Sequence, residues 1–572
     1  LRRRRPPRLR SMRPESPRNR RKSTMSDHFY GMPARRKELG NTLMRPAPAR
    51  VLTTFDAGLL VPVWSKEMLP GETIQIDPAF VVRSQTPIRP VMDDAYLDLY
   101  AFYVPNRLVL DTWEQVMGEN KSGYWVDTTD HTVPYLQSAA SVGFLKGSVA
   151  DYFGLPTGVP KLRVNALRPR MYALIWNEYF RDQNVMSPAA CPTNDTGVTS
   201  PSSMSDPILE AYKGGGLLPV CRLPDYFSTS TPGPLKATNV VSVGLPDVPV
   251  VGVDINSPGT GRLWTTEQVD RGWNPIGVAT IGSGSYVGVD DAQQSSVANS
   301  NLELHLAAQT SSVGISINDF RFAFQLQKLL ERDLFGTRYT EVLQAHFGVK
   351  AADSRLQRPE LFGWRRYRLN QQQVAQTSAT GSTGTPQGNM AAYSLTVGAG
   401  AKWKTVSPEH GFVIVLGCIR VKHTYSEGIS RDWTRFGRYD YAWPEFIGLG
   451  NQPVYKNEIS ALSPSLPDQQ DKTVWGYQEY AADYRYNRRF TTGEMRPGIT
   501  GTLDSWHYGD YYGSSRPSLG AAWMADNSKS LIDRTLAVTS SVANQFFGCF
   551  DLATEITTWL PMYSIPGYVD HF

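Results

Sequence analysis

The sequence predicts an all-β protein, an antiparallel β-sandwich with long loop insertions and a few short helices. Three observations carry this. Short β-prone runs recur between Pro and Gly from Val51 onward, Phe412–Val421 is apolar almost without a break, and only two segments have helical periodicity. With 572 residues the chain can bury a large core.

Residues 1–24 (LRRRRPPRLRSMRPESPRNRRKST) hold ten Arg, one Lys and one acid, a net of +10 in a chain whose formal net charge is +5. The other 548 residues are therefore net acidic, at −5. Without apolar periodicity this arm buries too little to fold alone, so disorder is expected. A basic arm neutralises phosphates without reading sequence. The other reading is that residues 1–24 are an upstream reading-frame extension ahead of Met25 (MSDHFYG). Residues 25–50, broken by Pro33, Pro46 and Pro48, read as an extended N-terminal arm.

Residues 51–186 read as the first part of the sandwich core. Val61–Trp64, Ile74–Ile76 and Phe80–Val82 are short strands, and Tyr96–Val104 is a longer one ending at Pro105. Met171, Leu174, Ile175 and Tyr179 recur at helical spacing, with Pro169 near the start, where its missing N–H costs nothing. Residues 187–316 change character. They are rich in Ser, Thr, Gly, Pro and Val and hold 11 acidic and 5 basic residues. They read as an inserted surface subdomain with small strands at Asn239–Val243, Val248–Val253 and Leu302–Leu306.

Residues 317–572 read as the second part of the core. Phe320, Phe324, Leu330 and Leu334 form a helical stripe, expected to face the core, with Asn318 as N-cap and Gly336 as stop. Residues 371–392 (QQQVAQTSATGSTGTPQGNMAA) are low in complexity and read as a linker or loop. Phe412–Val421 reads as a strand covered on both faces.

The chemistry-bearing residues do not assemble into an enzyme. The eight histidines form neither HExxH nor HxH, and there is no P-loop or GxSxG. Cys191, Cys221, Cys418 and Cys549 lie far apart, signalling neither a zinc site nor a disulfide framework. No cofactor or metal is expected, and Asp93–Asp94 read as a turn cap. The longest apolar run, near 411–419, is half a membrane span, and no secretory leader opens the chain. No membrane insertion is expected.

Nucleic-acid contact has a local signal. WRRYR at 364–368 interleaves Arg365, Arg366 and Arg368 with Trp364 and Tyr367, so that guanidiniums hold phosphates while rings stack on unpaired bases. Arg35, Arg36 and Lys37 are a second candidate, and Arg485, Arg488 and Arg489 a third. A solvated strand or an intersubunit ion-pair patch explains WRRYR as well. At the C-terminus, Tyr568 and Phe572 read as apolar anchors of an intersubunit strap.

Four blocks carry a resemblance. They are MDDAYLDLYAFYVPNRLVLDTWEQVMG at 92–118, NALRPRMYALIWNEYFRDQNV at 165–185, NDFRFAFQLQKLLERDLFGTRYTEVLQAHFGVKAADSRLQRPELFG at 318–363 and PMYSIPGYVDHF at 561–572. FDAG at 55–58, LPGET at 69–73 and EHGFVIVLG at 409–417 echo it. From Met25 to Phe572 the chain resembles the major capsid proteins of the microviruses, in particular the gokushovirus branch. The basic extension is its clearest departure from that pattern.

The resemblance implies an eight-stranded jelly roll and self-assembly into a T=1 icosahedral shell around circular single-stranded DNA. It implies a virion protein, assembled in the cytoplasm of a bacterial host. The insertion would form protrusions about the threefold axes that touch the host surface. Partners would be copies of itself, a small basic DNA-packing protein and a pilot-type minor protein. The competing class is an adhesive or carbohydrate-binding β-sandwich. A β-rich glycosidase, which requires two carboxylates across a cleft, is a third.

Overall fold

The computed structural model describes residues 43–120, 129, 131–236, 263–264, 275–281, 284–289, 317–333, 345–346, 357–375, 377, 390–461, 472–513 and 515–560. Two antiparallel sheets lie at its centre. In chain order their strands are β1 (Leu43–Pro46), β2 (Ala49–Phe55), β3 (Val61–Met68), β4 (Thr73–Ser84), β5 (Ala95–Pro105), β6 (Glu360–Arg368), β7 (Thr396–Gly398), β8 (Trp403–Val406), β9 (Gly411–Val421) and β10 (Phe546–Thr558). In the first sheet β10 and β4 pair centrally. β1 and β2 follow one another along the far side of β10, and β7 and β8 do the same along β4. The second sheet runs β6–β5–β9–β3.

Side-chain alternation explains why the first sheet buries one face. Ile74, Ile76, Phe80 and Val82 of β4 and Phe546, Phe550, Leu552 and Ile556 of β10 point into the core. The residues between them point outward, and Leu52, Val397, Val406 and Phe547 on this sheet stay exposed. The sequence places two strands on either side of Pro78, but the chain forms one, β4. β8 covers Thr73–Ile76 and β7 covers Phe80–Val82, so on that side Pro78 faces the gap between them. A proline is tolerated where no ladder waits for its N–H.

The second sheet is covered on both faces. All of β9 is buried, as its unbroken apolar sequence predicts. Its inner face meets the first sheet, where the Phe80 ring stands edge-on to Tyr367 at 4.7 Å. Its outer face carries helix α1 (Leu167–Ile175), which continues as a π turn, Trp176–Phe180. Phe180 sits edge-on to Tyr100 at 5.0 Å and Tyr179 lies 4.9 Å from Phe102. The Tyr172 hydroxyl donates to the Leu60 carbonyl at 2.7 Å and accepts the Leu218 N–H at 2.9 Å, fixing α1 to the chain entering β3.

The second predicted helix is present as α2 (Ile317–Asp333), but of its predicted stripe Phe324 is exposed and Leu330 only partly covered, while the burial of Phe320 and all of Leu334 lie outside the described residues. Phe322, Phe324 and Leu329 are exposed, and only Ala323, Leu326, Leu330 and Glu331 are partly covered among the residues whose burial is described. The low-complexity stretch after Asn370 begins and ends in a hairpin, Gln371–Ala375 with Met390–Ser394.

Residues 187–236 lie against the sandwich, with Leu218, Val220 and Phe227 in the main core. Farther along, Leu263–Trp264, Pro275–Ile281 and Gly284–Val289 form a three-stranded sheet of their own. None of these is a strand named from the sequence; the three expected in this insertion (239–243, 248–253 and 302–306), the arms before Leu43, Gly336 and the strap after Leu560 lie outside the described residues. The four cysteines are free, and among the described residues no grouping suits a metal ion. No described helix is long and apolar enough to cross a membrane.

Candidate nucleic-acid interface

Among the described residues β6 is the edge strand of the second sheet, so WRRYR lies at an edge beside β5. A bulge between Leu361 and Gly363 sets its phase. Trp364, Arg366 and Arg368 then share the outer face with Tyr100, Asp98 and Tyr96, while Tyr367 points inward to Phe80.

The arginines divide accordingly. Arg366 grips Asp98 with two hydrogen bonds, Nε to Oδ1 at 2.6 Å and Nη2 to Oδ2 at 2.9 Å. Arg368 pairs with Asp94 at 2.8 Å. Arg365 has no ion pair among the described residues. It reaches the Gly400 carbonyl at a long 3.4 Å and lies over the Tyr367 ring at 5.7 Å. Trp364 is half exposed, with its ring stacked 6.5 Å from Tyr100. Of the five residues, Trp364, Arg365 and Arg368 are thus exposed, and Arg365 is the arginine among them without a carboxylate partner among the described residues. The carboxylates that pair with the other arginines come from β5 (Asp98) and the residue just before it (Asp94), some 270 positions earlier, which no local motif reveals.

The third basic candidate is internally engaged. Arg485 pairs with Glu479 at 2.7 Å, Arg488 donates to the Tyr425 carbonyl, and Arg489 approaches Asp93 and Asp94. Asp93 also accepts the Asp94 and Tyr508 N–H groups, so this acidic pair anchors chain segments. Arg35, Arg36, Lys37, Tyr568 and Phe572 lie outside the described residues.

Sequence reading missed a buried ionic centre made from three distant segments. His423 Nδ1 lies 2.9 Å from Asp510 Oδ2, and Nε2 lies 3.5 Å from Asp526 Oδ1. Arg222 approaches the other Asp510 oxygen at 3.3 Å and stacks over Trp523 at 4.4 Å. Ser528 donates to Asp526 at 2.6 Å. Burial opposes charge on His423, as does Arg222. The Asp510 carboxylate and hydrogen bonds to Asp510 and Asp526 outweigh them and raise His423 to about 9. Burial likewise opposes charge on Asp510, but His423 and Arg222 hold it well below the usual carboxylate range. The side chains of His423, Asp510 and Asp526 are almost completely inaccessible, so this Ser–Asp–His–Asp grouping has no route for a substrate. It clamps the chain leaving β9, the segment at Arg222 and the stretch from Asp510 to Ser528 together.

Residues 45–568 match the family described as "Capsid protein (F protein)". The chain is 36% identical to the capsid protein VP1 of Spiroplasma virus 4, over 91% of this chain and 94% of that one. It is 34% identical to VP1 of Chlamydia phage 1, over 90% and 94%. It is also 34% identical to VP1 of Bdellovibrio phage phiMH2K, over 91% and 94%. The chain belongs to the F/VP1 capsid-protein family of the microviruses, as a structural component of the virion and not an enzyme.

Proposed function

We propose that this protein self-assembles into a T=1 icosahedral shell around circular single-stranded DNA, with an eight-stranded jelly roll as the rigid unit of each subunit. The wiring of the sheets is the observation that carries the jelly roll. With β1 and β2 counted as one position, and β7 and β8 as another, the eight positions pair first with last, second with seventh, third with sixth and fourth with fifth. The pairs are β2 with β10, β3 with β9, β4 with β7 and β8, and β5 with β6. That nesting is what rolling one long hairpin produces.

The division of the chain supports the same reading. The sandwich strands lie at 43–105 and 360–558, so residues 43–50 of the expected arm join the sheet, and residues 187–316 are an insertion between these parts whose first stretch, 187–236, packs on the core. The insertion's net charge of −6 suits an outward, host-facing module better than a DNA-facing one. At the edge of β6, Trp364 and Arg365 offer a ring and a guanidinium to unpaired DNA. The remaining partners we propose are a small basic DNA-packing protein, a pilot-type minor protein and the bacterial surface.

The test is assembly itself. Purified protein should give closed particles of one size with nuclease-protected circular DNA, seen by sedimentation and cryo-electron microscopy. A persistent small oligomer without protected DNA overturns the proposal and favours an adhesive sandwich.

A further inference from the structure

Residues 431–449 (RDWTRFGRYDYAWPEFIGL) cross the surface as three short 3-10 turns, Arg431–Thr434, Arg438–Asp440 and Pro444–Leu449. Six of these nineteen residues are aromatic. Trp433, Phe436, Tyr439 and Ile447 are 77%, 81%, 74% and 74% exposed. Apolar side chains clustered like this, unlike single exposed ones, mark a surface that another molecule covers.

The segment is held in shape. Arg435 pairs with Asp483, and its guanidinium lies over the Tyr484 ring at 4.1 Å. Arg438 lies over Trp443 at 4.9 Å, and the indole N–H donates to the Arg438 carbonyl at 3.0 Å. Asp440 accepts the N–H groups of Phe436 and Gly437 at 3.0 and 2.7 Å. A preordered surface loses less entropy when it is covered. Beside it lies a groove of about 900 Å³, walled by Leu235, Trp443, Ile447 and Leu449 and by Gln327 and Glu331 of α2. The groove thus joins this segment to the helix whose Phe322 and Phe324 are also exposed.

Charge and composition identify the occupant. The segment has three Arg, three acids and no Lys, and Arg431 and Arg435 already face Glu458 and Asp483. Such a balanced surface attracts a polyanion weakly, so nucleic acid is a poor fit. Trp, Tyr, Phe and Arg without Lys is the composition of the centre of a protein interface. In a shell built from copies of one chain, the most abundant protein available to cover such a surface is that chain.

We propose that residues 431–449 and the adjoining groove form a contact surface for a second copy of this protein. This rests on the shell reading and assigns it one of its interfaces. The full chain carrying Phe436→p-benzoylphenylalanine, assembled and irradiated, should yield a covalent product of twice the subunit mass. Mixed light and heavy subunits should give a mixed-isotope cross-linked peptide. Cross-links confined to one chain, or a nuclease-sensitive product, overturn the contact, as does the absence of any product.

A second arm reads assembly. Phe436→Asp with Ile447→Asp should keep the circular dichroism of the parent subunit and lower particle yield by about tenfold or more. A folded double variant that assembles like the parent overturns the contact while leaving the shell intact. A parent that never assembles overturns the shell reading, and this contact with it.

Discussion

Arg366 and Asp98 form a bidentate ion pair across the β5–β6 ladder. Arg420 of β9, on the other flank of β5, donates to Asp98 Oδ2 at 2.6 Å. One fully buried carboxylate thus ties three adjacent strands. Removing one partner of a buried ion pair costs more than the pair itself contributes, because the remaining charge has nowhere to go. Asp98→Ala leaves two guanidiniums facing each other and should destabilise the subunit by about 3–5 kcal/mol. Denaturant unfolding of the unassembled protein measures this. An unchanged midpoint would mean that solvent reaches the site and that the strands do not depend on this pair.

The ionic centre around His423 gives the subunit an alkaline limit. Its folded pKa of about 9 stands above the ordinary value of 6.5. The protonated form is therefore the one favoured by folding. Its stabilisation is fully present below about 6.5 and is lost as pH rises through 9, a change on the order of 3 kcal/mol. Asp510, whose pKa is depressed, stays ionised throughout that window. His507, which burial shifts downward, titrates below it. Unfolding midpoints at pH 6.5, 7.5 and 9 should fall steadily in the parent and lose that slope in His423→Gln. Equal slopes in both proteins would assign the effect to other groups.

Local rules made some of this structure legible. β9 could be read because a strand buried on both faces needs no alternation. The alternating Ile74, Ile76, Phe80 and Val82 could also be read, but their continuity through Pro78 depends on the gap between β7 and β8, a fact about neighbours. α2 was visible as a helix, yet its periodicity did not say whether Phe324 meets a core or solvent. At the candidate site, WRRYR showed the residues but not Asp98 and Asp94, which hold two of its arginines. Arg222, His423 and Asp510 come from segments whose meeting is set by the whole fold, so no window of sequence contains that signal. The Arg–aromatic density of 431–449 stood in plain view; its exposure did not.

Tyr172 tests how α1 is attached. Its hydroxyl alone serves both the Leu60 carbonyl and the Leu218 N–H, in a fully buried position. Tyr172→Phe preserves the ring and strands two backbone groups away from water. A loss of about 1–3 kcal/mol is expected, measured as a lowered denaturation midpoint. Amide exchange at Leu218 should accelerate in the same variant, which a general loss of packing would not single out.

The arginines of β6 separate structure from DNA contact. Arg366 is committed to Asp98, so Arg366→Ala should lower subunit stability whether or not DNA is present. Arg365 has no carboxylate partner among the described residues. Its removal should leave the unfolding midpoint within about 0.5 kcal/mol of the parent. If Arg365 meets phosphate, Arg365→Ala flattens the dependence of DNA affinity on salt by about one unit of log–log slope. Trp364→Ala should instead weaken binding with the salt slope unchanged, because stacking releases no counterions. Parent-like affinity and slope in both variants would remove this edge from the DNA-facing surface and leave WRRYR as a fold element, with Arg366 and Tyr367 as its working residues.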